Sequence, residues 1–133
     1  MNHKSMQNVN VGVIGCGYWG PKLIRNFYEL PGAHLQMVCD LRPERLEHIQ
    51  NLYGVQVTQS YDDLLNSDVA AVAIATPVST HYALGRRALA AGKDILIEKP
   101  FTASSAEARD LIDLAERNGR IVMVGHTFEY NPA

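Results

Sequence analysis

The sequence predicts an α/β fold: a doubly wound parallel sheet of about six strands with helices on both faces. Three observations carry this expectation. Short apolar runs alternate with helical patterns along the chain, and parallel strands need crossover connections of that kind. Residues 69–75 form the longest apolar run and are apolar on both alternating faces, as a strand covered from both sides must be. Gly15-Cys16-Gly17-Tyr18-Trp19-Gly20 stands between the first strand and the first helix, the context in which G-x-G-x-x-G has structural meaning.

The elements follow in order. Val9–Ile14 is β-branched-rich and ends in glycine, a first strand. Trp19, Leu23, Ile24 and Phe27 then define one helix face, Pro21 suits that helix's first turn, and Pro31-Gly32 ends it. Residues 35–39 are the second strand, closed by Asp40. Pro43 opens a second helix whose apolar side is Leu46, Ile49, Leu52 and Tyr53, with Gly54 as its stop. Residues 55–58 make a short third strand, and Tyr61–Asn66 one or two helical turns. Residues 69–75 are the fourth strand, 80–91 a helix stopped by Gly92, and 95–98 the fifth strand. Ser104-Ser105-Ala106-Glu107 is a capping box. It opens a helix carrying Ala108, Leu111, Ile112 and Ala115, and residues 121–124 are the sixth strand. The simplest strand order for such a unit is 3-2-1-4-5-6.

At 133 residues the chain reads as one domain. Residues 1–8 are a flexible start, 9–125 the domain, and 126–133 a short segment after it. Hydrophobic residues at 47% and charged residues at 20% exclude a disordered chain. A net charge of −2 argues against nucleic acid or an anionic membrane held by general charge. The seven-residue apolar run is far short of the roughly 20 that span a bilayer, and the polar start has no signal-peptide pattern, so the setting reads as cytoplasmic. Cys16 and Cys39 read as free buried side chains. No His/Cys/Asp/Glu set has zinc spacing, and no metal is expected.

In the glycine loop, Gly15 permits the tight turn. Gly17 lets backbone approach a pyrophosphate, and Gly20 lets helix and strand pack closely. Phosphates then meet the free N–H groups and positive end of the helix. The plain alternative is a tight strand–helix turn. Tyr18 lies against the cofactor in this reading, and Trp19 starts the apolar helix face. Asp40 comes 20 residues after Gly20, followed by Leu41 and Arg42, where a carboxylate can accept both adenosine ribose hydroxyls. That favours NAD over NADP, because a 2′-phosphate would meet a like charge at a cost of about 4 kcal/mol at 4 Å. Arg42 leaves NADP open, since it can pair with that phosphate, stack on adenine, or stand as a solvated cation.

Ala75-Thr76-Pro77 with Thr80-His81, Glu98-Lys99-Pro100, and Gly125-His126-Thr127-Phe128 follow the fourth, fifth and sixth strands. Together with the glycine loop they resemble the N-terminal Rossmann domain of the glucose–fructose oxidoreductase / inositol dehydrogenase / MocA-like family, from about Val9 to Ala133. The resemblance implies that Lys99 is catalytic, beside the nicotinamide and the reacting hydroxyl. It also places Ala75, Thr76 and Pro77 under the nicotinamide ribose. Glu98 and His126 are further cofactor-side candidates. So is His81, whose alternative is a capping or packing role. Proline after Lys99 makes that bond a candidate cis peptide.

The family implies an oxidoreductase moving hydride between the nicotinamide and a secondary alcohol of a sugar, cyclitol or nucleotide sugar. It also implies a second domain with most substrate contacts, residues 126–133 being the beginning of the connection to it, and a homo-oligomeric whole, so the chain alone is expected to be inactive. A stand-alone dinucleotide-binding or sensor module is the second reading. A methyltransferase is a distant third.

Overall fold

A computed structural model of the chain describes residues 8–16 and 20–125. Expectations for residues 1–7, Gly17, Tyr18, Trp19, His126 and the segment after it lie outside the described residues. Among the described residues, six strands form one all-parallel sheet: β1 (Val9–Ile14), β2 (Ala33–Cys39), β3 (Gln56–Thr58), β4 (Ala71–Ile74), β5 (Asp94–Glu98) and β6 (Val122–Gly125). Their order is β3-β2-β1-β4-β5-β6, as the alternation predicts. The helices are α1 (Gly20–Glu29), α2 (Pro43–Tyr53), α3 (Tyr61–Asn66), α4 (His81–Ala90) and α5 (Ser105–Asn118).

The strands sort their side chains by parity into two cores. Val13, Val38 and Ala73 face one side, where Leu23 and Ile24 of α1 and Leu46 and Ile49 of α2 cover them. Ile14, Cys39, Val72 and Ile74 face the other, against Tyr61 and Leu64 of α3, Ala88 and Leu89 of α4, and Leu111 and Ala115 of α5. This is why β4 is apolar throughout: each face has its own helix layer.

Local chemistry sets the helix ends. Pro43 opens α2, and α2 and α5 stop at left-handed Gly54 and Gly119. Ser60 accepts the Asp63 N–H at 3.3 Å, and Ser104 accepts that of Glu107 at 3.2 Å, so α3 and α5 each have a side-chain N-cap.

The structure corrects several boundaries. β2 begins at Ala33, because Val9 and Asn10 pair with Ala33 and His34. β4 begins at Ala71. Val69 is buried but precedes the ladder. Residues 78–80 form a separate 3₁₀ turn before α4. Leu52 is 58% exposed and Ile112 47% exposed, although both fall on predicted apolar faces. Tyr53 packs against its core as expected, and Leu114 packs against the other core where Ile112 does not. A helical stripe has borders, and the neighbouring element decides which border residue it covers.

That last correction is testable. Leu111→Ala should cost about 2–5 kcal/mol through a core cavity, and Ile112→Ala about 0.5 kcal/mol or less, measured by urea unfolding.

Candidate cofactor site

Parallel strands put all their carboxyl ends on one edge. The register aligns Ile14 with both Cys39 and Ile74, Cys39 with Thr58, Ile74 with Ile97, and Glu98 with Gly125. The pairing continues one residue further. Gly15 N–H donates to Cys39 O at 2.9 Å, Asp40 N–H to Thr58 O at 3.2 Å, and Ala75 N–H to Ile14 O at 2.8 Å. Gly15, Asp40 and Ala75, far apart in sequence, therefore stand side by side where ligands bind in an open parallel sheet.

A cleft of about 810 Å³ opens there, within the roughly 300–1,000 Å³ of small-molecule sites. Its wall brings together seven predicted residues: Gly15, Asp40, Leu41, Arg42, Ala75, Thr76 and Pro77. Gly15 has φ +106°, a conformation that favours glycine, and a Cβ there would stand 2.6 Å from the Ala75 carbonyl oxygen. A Cβ on Gly20 would land on the Gly15 carbonyl oxygen. Gly20 thus does what the pattern predicts, holding the start of α1 against the end of β1, although it does not line the cleft. The first turn of α1 has no acidic side chain to compete for its positive end.

Asp40 is 7% exposed and fully engaged. Its Oδ2 accepts the Cys16 N–H at 2.7 Å and Arg42 Nη2 at 3.3 Å. Its Oδ1 accepts the Arg42 N–H at 2.8 Å and Nε at 3.1 Å. Burial opposes ionisation, but the hydrogen bonds from Arg42 and from the Cys16 and Arg42 amides, with the Arg42 charge, hold the carboxyl below its ordinary range. The same site makes both thiols inert. Burial first, then the Asp40 charge, pushes Cys16 up to about 12 and Cys39 up to about 11. Both are free and buried, as expected.

Other predicted residues stand apart from this wall. Glu98 is buried at the end of β5, and Lys99 next to it is exposed. The bond between Lys99 and Pro100 is cis. His81 is 2% exposed, and its ring faces backbone carbonyls rather than the cleft. This is the packing alternative that the sequence left open.

The structure also adds residues that the sequence did not single out. Gln59, Tyr61 and Leu84 line the cleft, beside Thr80 of the Thr80-His81 motif. Gln59 Nε2 donates to Leu41 O at 2.8 Å, and Tyr61 OH to Leu84 O at 2.8 Å. Arg45 Nη1 lies 3.5 Å from Cys16 O, adding a second guanidinium near the glycine loop. The i, i+3 spacing of Arg42 and Arg45 at the start of α2 was the available signal. For Tyr61 and Leu84 no local signal exists, since topology brings them in.

The comparisons agree with this geometry. The Gfo/Idh/MocA model, an oxidoreductase family with an NAD-binding Rossmann fold, matches residues 9–126. The chain belongs to that family. It is 35% identical over 128 residues to a UDP-N-acetylglucosamine 3-dehydrogenase of Acidithiobacillus ferrooxidans, covering 96% of this chain and 40% of that protein. The crystal structure of GenD2 from gentamicin A biosynthesis, in complex with NAD, superposes with a TM-score of 0.90 at 31% identity, over 95% of this chain and 36% of that one. KijD10, a 3-ketoreductase from Actinomadura kijaniata in complex with TDP-benzene and NADP, superposes at 0.88 and 29% identity, over 95% and 40%. The chain spans well under half the length of the curated relatives it matches.

Asp40→Asn should cost about 1–3 kcal/mol at neutral pH by weakening charge-assisted hydrogen bonds. A carboxyl held low stabilises fully above its unfolded value of about 3.9, and that contribution is lost as pH falls through the folded value. The gap between parent and variant should therefore close below about pH 4, read by urea unfolding at pH 7 and pH 3.

Proposed function

We propose that the chain is the cofactor-holding part of an NAD-dependent oxidoreductase. The whole protein would act on a secondary alcohol of a sugar, cyclitol or nucleotide sugar. The observation that carries this is the convergence of Gly15, Asp40 and Thr76 on one cleft beside the start of α1. These residues fit a dinucleotide. The α1 start offers N–H groups to a pyrophosphate, Asp40 a carboxylate to the adenosine ribose, and Thr76 with Pro77 a floor for the second ribose.

The bound nicotinamide supplies the hydride acceptor or donor. The chain's own part is to orient the reactants and favour loss of a proton. Lys99, at the carboxyl end of β5, stands as a cation beside the reacting hydroxyl, where it favours loss of the hydroxyl proton to a base or steers that base. The remaining substrate contacts belong to a second domain. This reading also takes a cytoplasmic homo-oligomer as the whole, a setting supported by the two free buried thiols.

Cofactor choice turns on Asp40 and Arg42. Ribose hydroxyls must displace the Arg42 guanidinium, whose side chain is 46% exposed. An ion pair that open to water is worth about 0–1 kcal/mol, whereas hydrogen bonds to a charged carboxylate are worth about 1.5–3 kcal/mol. The exchange favours NAD. NADP is the second reading, and the specific observation for it is the pair of guanidiniums, Arg42 and Arg45, near Asp40 and the glycine loop.

Calorimetric titration of the chain should give tighter binding of NADH than of NADPH. Arg42→Ala should weaken NADPH about tenfold, the equivalent of one charge-assisted hydrogen bond, and leave NADH within about threefold. NADPH binding more tightly than NADH would promote the second reading. In a longer protein with its substrate domain, Lys99→Ala should lower kcat by about 10²–10⁴-fold while the NADH Kd changes little.

A further inference from the structure

The ladder between β4 and β5 ends at the pair Ile74 and Ile97. Beyond it one chain runs into the Thr76 turn that lines the cleft, and the other into Lys99, Pro100 and Phe101. A buried ring spans the gap. His81, the first residue of α4, places Nε2 2.7 Å from the Thr76 carbonyl oxygen. Its Nδ1 lies 3.0 Å from the Pro100 carbonyl oxygen and 3.1 Å from that of Phe101. All three partners are carbonyls, which accept and cannot donate; a neutral imidazole carries a single N–H, so the ring bridges both segments by hydrogen bonds only with an N–H on each nitrogen. Thr80 fixes the same turn, its hydroxyl 2.6 Å from Thr76 Oγ1 and from the Pro77 carbonyl oxygen. The Thr76 turn, the first turn of α4 and the segment after Lys99 are therefore joined through one imidazole with almost no solvent exposure.

We infer that His81 is a positioning residue. It ties the backbone that carries Lys99 to the turn that receives the second ribose, so that filling the cleft also orders Lys99. The inference rests on the dinucleotide reading above. Its physical content is a shared element with two ends. Whatever restricts Thr76 restricts the ring, and the ring restricts the carbonyls of residues 100 and 101. Helix α4 gives the ring a rigid base, because its Ala88 and Leu89 are anchored in the core with Leu111 of α5. A role in packing alone would hold the segment equally well with or without ligand. Positioning makes the hold depend on what occupies the cleft.

ADP-ribose separates the two, because it has both riboses but lacks the nicotinamide ring that would sit beside Lys99. With the 133-residue chain, saturating ADP-ribose should slow amide exchange at Lys99, Phe101 and Thr102 by about fivefold or more, a coupling of ordinary size. His81→Phe keeps the ring volume and removes the N–H donors. It should bind ADP-ribose with a Kd within about threefold of the parent and lose the slowing. If that variant does not fold, His81→Gln, whose single amide donor group serves one segment but not both, should show the same loss. Equal slowing in parent and variant overturns the inference, as does binding to the parent with no slowing at residues 99–102. Failure of the parent to bind ADP-ribose at all overturns the dinucleotide reading, and the inference with it.

Discussion

The close approach of three backbone segments governs this fold's functional edge. A Cβ on Gly20 would collide with the Gly15 carbonyl oxygen, and one on Gly15 with that of Ala75. The end of β1, the start of α1 and the end of β4 thus meet with no side chain between them. This contact holds the positive end of α1 beside Gly15, which lines the cleft. It also explains why the cleft lies between β1 and β4, where the strand order turns back on itself and successive crossovers leave by opposite faces.

Asp40 serves two structures at once. Its Oδ2 receives the Cys16 amide, which pins the glycine loop to the end of β2, and both oxygens hold Arg42. A buried carboxylate costs several kcal/mol unless its lone pairs are satisfied, and four donors satisfy it here. Two of the four are backbone amides fixed by the fold, and the others belong to a half-exposed guanidinium. Polar groups of a ligand can therefore replace the second pair without unseating the first. The loop stays formed while the ligand-facing side of the carboxylate changes partners.

Most of the frame is legible because its signals are local. The bounds of β1 and α3, the caps at Gly54 and Ser104 and the strand order follow from periodicity, turn residues and spacing. The misses are tertiary. Leu52 and Ile112 look like core in a helical projection, yet they sit at stripe edges that no neighbour covers. Val69 reads as strand because burial and pairing give the same apolar signal. The glycine loop, Asp40 and the Thr76 turn are readable because each is a motif at a strand end. Tyr61 and Leu84 belong to α3 and α4, and only the folded sheet brings them to the same cleft. The contacts of His81 were unreadable for a further reason: its partners are main-chain carbonyls, which every residue has, so no pattern of side chains announces them.

The edge is divided by the same topology that creates it. From β1 outward through β2 and β3, the strand ends present Gly15, Asp40 and Gln59, groups suited to holding a nucleotide. From β4 outward through β5 and β6 they present Thr76, Lys99 and Gly125, and only this half carries a candidate for proton transfer. Glu98 ends β5 and is buried, whereas Lys99, just beyond the strand, is exposed. The two halves stay in register because β1 and β4 are paired at the centre of the sheet.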